Sequence, residues 1–338
     1  MTSIRPLIAD QVSRSFGTVT AVANASLTLT PGEITALIGP SGSGKTTFLR
    51  LLAGMERPDS GQILSGERVL ASASRHVPIE KRKIGLVFQD FALFPNMTVL
   101  QNVMFGLREY AKDERVHMAE SWIEQLGLTH RRDAYPHHLS GGEQQRTAIA
   151  RALAPKPVAI LLDEPFSGLD PSMRGRVRDA ALNAIRAAKV PALLVTHDAS
   201  EALLHSDTIA VIAHGVILQS GPPDTLYRAP NSLAVARALG PVHEIERSNL
   251  PAEWRAEIKT DAPTLWYRPE AISLGKGPDF TVSGSRLAGP VTELCLKLPD
   301  SKDVLYSACQ PGTPLKPGEG VQAMINPALF FEFAAEST

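Results

Sequence analysis

Cysteine is almost missing: this chain of 338 residues has two, Cys295 and Cys309. Two isolated cysteines cannot build a disulfide framework, and they lie in no metal-ligand spacing, so a reducing compartment and buried thiols are expected. Long apolar runs are also missing. The densest, "VAILL" at 158–162, falls far short of the roughly 20 residues of a membrane helix, and "MTSIRPLIAD" at the start holds no apolar signal segment. The expected place is therefore the cytoplasm, with a membrane-embedded partner left open. Net charge is nearly absent as well, with 34 Lys and Arg against 35 Asp and Glu, which excludes a general attraction to nucleic acid. No repeat or low-complexity tract occurs. What remains is a globular composition, 43% hydrophobic, long enough for two domains.

The texture changes near residue 240. Residues 1–239 hold 15 of the prolines and alternate apolar runs with helical periodicity; the last 99 residues hold the other 11 and read as short strands between turns. Two domains are expected, 1–239 and 240–338. In the second, "ELCLKLP" at 293–299 and "GVQAMIN" at 320–326 alternate as half-buried strands do, which predicts a small β-barrel or sandwich.

In the first domain "EITALIG" at 33–39 reads as a buried strand, "GPSGSGKT" at 39–46 as a glycine-rich loop and "TTFLRLLAGM" as helix. That order is the context a phosphate-binding loop requires. Backbone N–H groups from Gly42 to Thr46 would cradle the β-phosphate, Lys45 would neutralise the β- and γ-oxygens, and the Thr46 hydroxyl would ligate Mg²⁺. The loop residues expected to bind the nucleotide are Gly39, Ser41, Gly42, Ser43, Gly44, Lys45, Thr46 and Thr47.

Downstream, "VAILLDE" at 158–164 is too apolar for a surface strand and ends in two acids that need partners. Asp163 is expected beside the metal and Glu164 as the general base acting on the attacking water. Gln89, after a strand-like run, would order water and metal near the γ-phosphate. His197, at the end of "PALLVT", would be a catalytic switch. His137 and His138 do not read as a metal site, because adjacent histidines rarely reach one ion.

"LSGGEQQR" at 139–146 poses a puzzle: Ser and two Gly opening a helix build a second anion site, far from the first and without its lysine. The series "GPSGSGKT", "FQD", "LSGGEQQR", "ILLDEP", "SGLD", "THD" resembles the ATP-binding subunit of ABC transporters across residues 1–239. The resemblance implies an α/β P-loop ATPase domain with a helical subdomain at about 90–150, hydrolysing ATP with Mg²⁺. By it, Phe16 in "SFG" stacks on adenine. By it also, two such domains close face to face, so that Ser140, Gly141 and Gly142 meet the γ-phosphate held by a second copy, and "SGLD" crosses the seam.

"TVLQNVMFGL" places Val99, Leu100, Val103, Met104 and Leu107 on one helical face. "VHMAESWIEQLG" repeats the pattern, with Gly127 as the stop. In the resembled family the groove beside this insert receives a helix of the membrane-spanning permease subunit, with Phe91, Leu93 and Phe94 as the candidate contacts. The C-terminal region resembles the OB-like, TOBE-type domain of importers served by a periplasmic or extracellular solute-binding protein. "ARALAPKPVAILLDEPFSGLD" is most similar to the ferric-ion branch, with sulfate, thiamine, polyamine and sugar branches as alternatives. A soluble ABC ATPase outside transport is the alternative of another class. The chain departs from the family at "THDAS" and "GPVHEIER", which leaves regulatory ligand contacts open. The expected location is peripheral, on the cytoplasmic face of the inner membrane.

Overall fold

A computed structural model describes residues 5–289, 291–298, 303–309 and 315–333. Contacts divide the chain into two units, up to Pro223 and from Asp224 onward.

The first unit begins with β1 (Leu7–Phe16) and β2 (Val19–Leu29), followed by β3 (Ile34–Ile38) and the helix α1 (Lys45–Ala53). Then come β4 (Ser60–Ser65), β5 (Arg68–Ser72), the short α2 (Ile79–Arg82) and β6 (Ile84–Val87). A helical run follows, α3 (Val99–Met104), α4 (Lys112–Gln125) and α5 (Gly141–Leu153). The unit ends with β7 (Ala159–Asp163), α6 (Pro171–Ala188), β8 (Ala192–Val195), α7 (Ala199–His205), β9 (Thr208–Ala213) and β10 (Val216–Gly221).

Six of these strands form one sheet in the order β10-β9-β3-β8-β7-β6, while β2-β1-β4-β5 form an antiparallel sheet. From β9 to β6 all pairs of the larger sheet are parallel, so the carboxyl ends of β3, β8, β7 and β6 share one edge. Strand β7 shows why its sequence had to be apolar throughout. Ala159 and Leu161 join a core that includes Phe48 and Leu52 of α1, while Ile160 and Leu162 join a core with Ile149 of α5 and Val177 of α6. Both faces of the sheet are covered, so successive side chains are buried in opposite directions.

In the helical run Val99, Val103 and Leu107 are fully buried, as the periodicity implies. The α-helix stops earlier than that pattern suggests, at Met104, and Phe105–Leu107 tighten into a 3₁₀ turn. There Phe105 lies 4.2 Å from Phe94, and the Arg108 guanidinium stacks 4.0 Å from Phe105. Gly127 ends the second helical stretch at φ 65°.

A buried arginine closes the far end of α1. Arg82 is 1% exposed and donates to Val77 O, Leu51 O and Leu52 O, each at 2.9 Å. It therefore places positive charge at the negative end of the helix whose other end opens the phosphate loop. Burial lowers its pKa to about 10, which leaves it charged at neutral pH. Arg82→Met is expected to cost about 3 kcal/mol, because buried carbonyls lose their donors; thermal unfolding of the purified chain measures it.

The second unit holds α8 (Pro223–Arg228), α9 (Leu233–Ala238), β11 (His243–Glu246), α10 (Ala252–Glu257) and β12 (Thr264–Tyr267). It continues with β13 (Ile272–Ala288), β14 (Val291–Lys297), β15 (Val304–Cys309), β16 (Gly320–Ile325) and β17 (Phe330–Phe331). Two antiparallel sheets, β11-β12-β17 and β15-β14-β13-β16, surround a core with Trp254, Tyr267, Phe280, Leu294 and Leu296.

The second unit takes in α8 and α9 for a physical reason. Arg268, fully buried, donates to Ala236 O and Tyr227 O and stacks on Tyr227, which ties α8 and α9 to the second unit. Cys295 is half-buried rather than buried, because it alternates with Leu294 and Leu296 on β14 and points away from their core. The side chain of Cys309 lies outside the described residues.

Candidate functional site

The phosphate loop leaves β3 at Gly39 and enters α1 at Lys45. Gly44, the helix N-cap, has φ 104°, and a Cβ there would stand 2.3 Å from Ala21 O, so no other residue fits that turn. A Cβ on Gly42 would meet nothing within 4 Å, so the space beside this part of the loop is open. Phe48 N donates to Gly44 O at 2.8 Å, and the amides preceding it in the helix face outward. The Ser43 hydroxyl oxygen is buried and, among the described residues, has no hydrogen-bond partner. Ser41 and Thr46 are exposed, and Thr47 is half-buried.

Lys45 is 9% exposed and donates to Gly39 O (2.7 Å) and Pro40 O (2.9 Å). Burial pushes its ammonium below the usual lysine range, opposed by the charges of Glu164 and Asp163. The loop thus holds a cation and free amides beside open space, a donor set fitted to phosphate.

The two acids stand two strands away on the same sheet edge. Asp163 pairs with Val195 in the β7–β8 register. Burial raises its carboxyl pKa, Glu164 adds to the rise, and Arg50 and Lys45 oppose it. Among the described residues no protein hydrogen bond reaches this carboxylate, whose oxygens are hard donors of the kind a divalent cation takes. With the Thr46 hydroxyl it fits a Mg²⁺ that keeps most of its ligands as water and phosphate.

Glu164 sits at φ 44°, a strained conformation for a residue with a side chain. Its N–H donates to Val195 O at 3.0 Å and its carbonyl accepts from the Ser167 hydroxyl at 2.9 Å. Its carboxylate oxygen Oε2 lies 3.1 Å from Nδ1 of His197. The pair is adjacent because β7 and β8 run parallel in register, although 33 residues separate them in sequence. Gln89 is exposed just after the end of β6, on the same edge.

Phe16 ends β1 with 45% exposure, and the Arg14 guanidinium lies 4.7 Å from its ring. A ring left open at a strand end, beside a cation, is suited to stacking a base. Phe91, Leu93 and Phe94 are only partly buried. Their loop is fixed by Asn102, which bonds Phe94 N and the carbonyls of Phe94, Met97 and Thr98, and by Arg151 on the carbonyls of Phe91 and Ala92. No sequence signal pointed to these two residues. The rings of His137 and His138 pack at a tilt, with centroids 4.1 Å apart and planes 59° from parallel.

Ser140 is the N-cap of α5, and no described hydrogen bond links residues 140–142 to residues 39–47. Instead Gly141 lies against Leu169 and Gly142 against Val177. Glu143 closes a capping box with Ser140, a role the spacing Ser-x-x-Glu could have announced. The helix N-termini at Gly44 and Ser140 are thus two separate features of the chain.

A family model described as ABC transporter matches residues 22–167. The Fe(3+) ions import ATP-binding protein FbpC of Brucella suis biovar 1 (strain 1330) is 44% identical over 346 residues, covering 95% of this chain and 97% of the relative. Among solved structures, cbiO1 from Clostridium perfringens, part of an ABC transporter complex, superposes with TM-score 0.61 at 28% identity over 66% of this chain and 90% of that one. A dimeric bacterial ABC transporter cassette gives TM-score 0.56 at 28% identity, over 64% and 98%.

Proposed function

Because this chain belongs to the ABC transporter ATP-binding proteins and is an ATPase of that family, we propose that it powers the import of ferric iron. It would do so from the cytoplasmic face of the inner membrane, bound to permease subunits that receive the ion from a periplasmic or extracellular solute-binding protein. The observation that carries the chemistry is the Glu164 carboxylate held on His197 at the strand edge that also carries the phosphate loop. The relative matched along 97% of its length, an iron importer by name, supports the cargo. Iron would be substrate of the permease, with no binding site in this chain.

ATP binds with its phosphates in the loop from Gly39 to Thr47 and adenine on Phe16. Lys45 leaves the Gly39 and Pro40 carbonyls to face the β- and γ-oxygens. Thr46 and Asp163, with Gln89 nearby, would hold a Mg²⁺ ion, which would neutralise charge on the phosphates. Glu164 takes a proton from the attacking water as its oxygen bonds to the γ-phosphorus and ADP leaves. His197 orients the Glu164 carboxylate and faces the leaving charge.

The ATP held by one copy is completed by Ser140, Gly141 and Gly142 of a second, in a homodimer or with a similar subunit. The dimeric cassette among the structural relatives supports that arrangement. The domains proposed are the ATPase domain, 1–239, with its helical part at about 90–150 and the patch Phe91, Leu93 and Phe94 facing the permease, and the TOBE-type domain, 240–338.

Deleting the gene is expected to impair growth when ferric iron is the sole iron source, and restoring it should rescue growth. Normal growth on limiting iron, together with a defect on sulfate, thiamine, a polyamine or a sugar, moves the protein to that sister branch.

A further inference from the structure

Both carboxylate oxygens of Glu143 are occupied in the single chain. Oε2 accepts from the Ser140 N–H at 2.8 Å and from the Ser140 hydroxyl at 2.9 Å. Oε1 accepts from Arg131 Nε at 2.9 Å and lies 3.3 Å from His130 Nε2. The Glu143 side chain is 10% exposed, whereas Arg131 and His130 approach from the solvent side. Burial pushes the carboxyl pKa up, but the Ser140 N–H, the Arg131 guanidinium and the Ser140 hydroxyl outweigh it and hold it at about 2. The group is an anion at every physiological pH.

That anion sits in the first turn of α5, where it cancels part of the positive end of the helix. It also holds the one proton that the Ser140 hydroxyl can donate. An incoming phosphate oxygen needs the same proton, and it too is negative. The geometry points to Glu143 as an internal competitor for the partner's nucleotide: its carboxylate holds the Ser140 hydroxyl while the protomers are apart and must give it up on closure. Arg131, by neutralising the outer oxygen, sets how strongly Glu143 resists. This rests on the proposed reading of Ser140 as a donor to the ATP of a second copy.

Glu143 and Arg131 are positioning residues, and removing them should act in opposite directions. Glu143→Gln keeps an amide oxygen to accept the Ser140 N–H, so the cap survives, while the charge that repels phosphate is gone and Arg131 is left free to attract it. Arg131→Ala leaves the carboxylate charge uncompensated. The measurement is the ATP concentration at which half of the full-length chain is dimeric, by analytical ultracentrifugation in a Glu164→Gln background, beside the ATP affinity of the dilute protomer.

Glu143→Gln should lower the half-point by at least about threefold and Arg131→Ala should raise it by a similar factor. Arg131→Lys should fall near the parent, and protomer affinity should stay constant throughout. If both main substitutions raise the half-point, Glu143 is only a helix cap, and if neither moves it, no competition exists; either result overturns the inference. Absence of any ATP-dependent dimer in the parent Glu164→Gln chain is a different failure, which removes the reading of Ser140 and this inference with it.

Discussion

Glu164→Gln is expected to bind ATP as tightly as the parent and to hydrolyse it at least about a hundredfold more slowly, the loss typical of removing a general base. The amide has nearly the shape of the carboxylate and can still reach His197 Nδ1, now 3.1 Å from Oε2, so the strained turn at Glu164 persists. It cannot take a proton from water. Lys45→Ala should fail at the other step. Its ammonium is the buried cation of the loop, flanked by the charges of Glu164 and Asp163, and without it those carboxylates repel the phosphates unopposed. Nucleotide titration and single-turnover hydrolysis separate the two outcomes. Hydrolysis by Glu164→Gln at close to the parental rate would assign the base to another residue.

A disulfide between two chains gives an equally large, all-or-none signal. In a background without Cys295 and Cys309, one chain carrying Ser41→Cys and a differently tagged chain carrying Ser140→Cys should cross-link when ATP is added to the Glu164→Gln form, and not without nucleotide. A disulfide needs Cα atoms within about 7 Å. In the isolated chain Ser41 is exposed on the phosphate loop and Ser140 caps α5, packed through Gly141 and Gly142 against Leu169 and Val177. Efficient cross-linking inside one doubly substituted chain at high dilution would place both anion sites in one pocket and end the dimer proposal.

Local pattern carried much of this site. The run from Glu33 to Lys45 specifies strand, turn and helix by itself: five residues buried on both faces, four of them apolar, glycines at 39 and 44 where the turn has no room for a Cβ, and a helix former after them. The acids ending β7 stand out for the same reason, since a fully apolar strand does not carry charge at its end by accident. The capping box at Ser140 and Glu143 was also written in the chain, as a three-residue spacing. In β14 the alternation that makes it a strand also turns Cys295 away from the core. The expectation of a buried thiol there conflicted with its own pattern.

What the sequence determined, then, is what short-range stereochemistry and periodicity can fix: the phosphate loop, the doubly buried strands, the helix caps and the change of texture toward the β-rich C-terminal unit. What only the tertiary structure decided is which distant groups meet. The contact of Glu164 with His197 exists because two parallel strands align their carboxyl ends. Arg82 and Arg268 are buried, against the habit of their residue type, because backbone carbonyls from elsewhere in the fold converge on each guanidinium. The double demand on the Ser140 hydroxyl arises in the same way, from Arg131 fixing a carboxylate beneath it. Hydrogen bonds and charges act through space at about 3 Å, and no spacing along the chain encodes that distance.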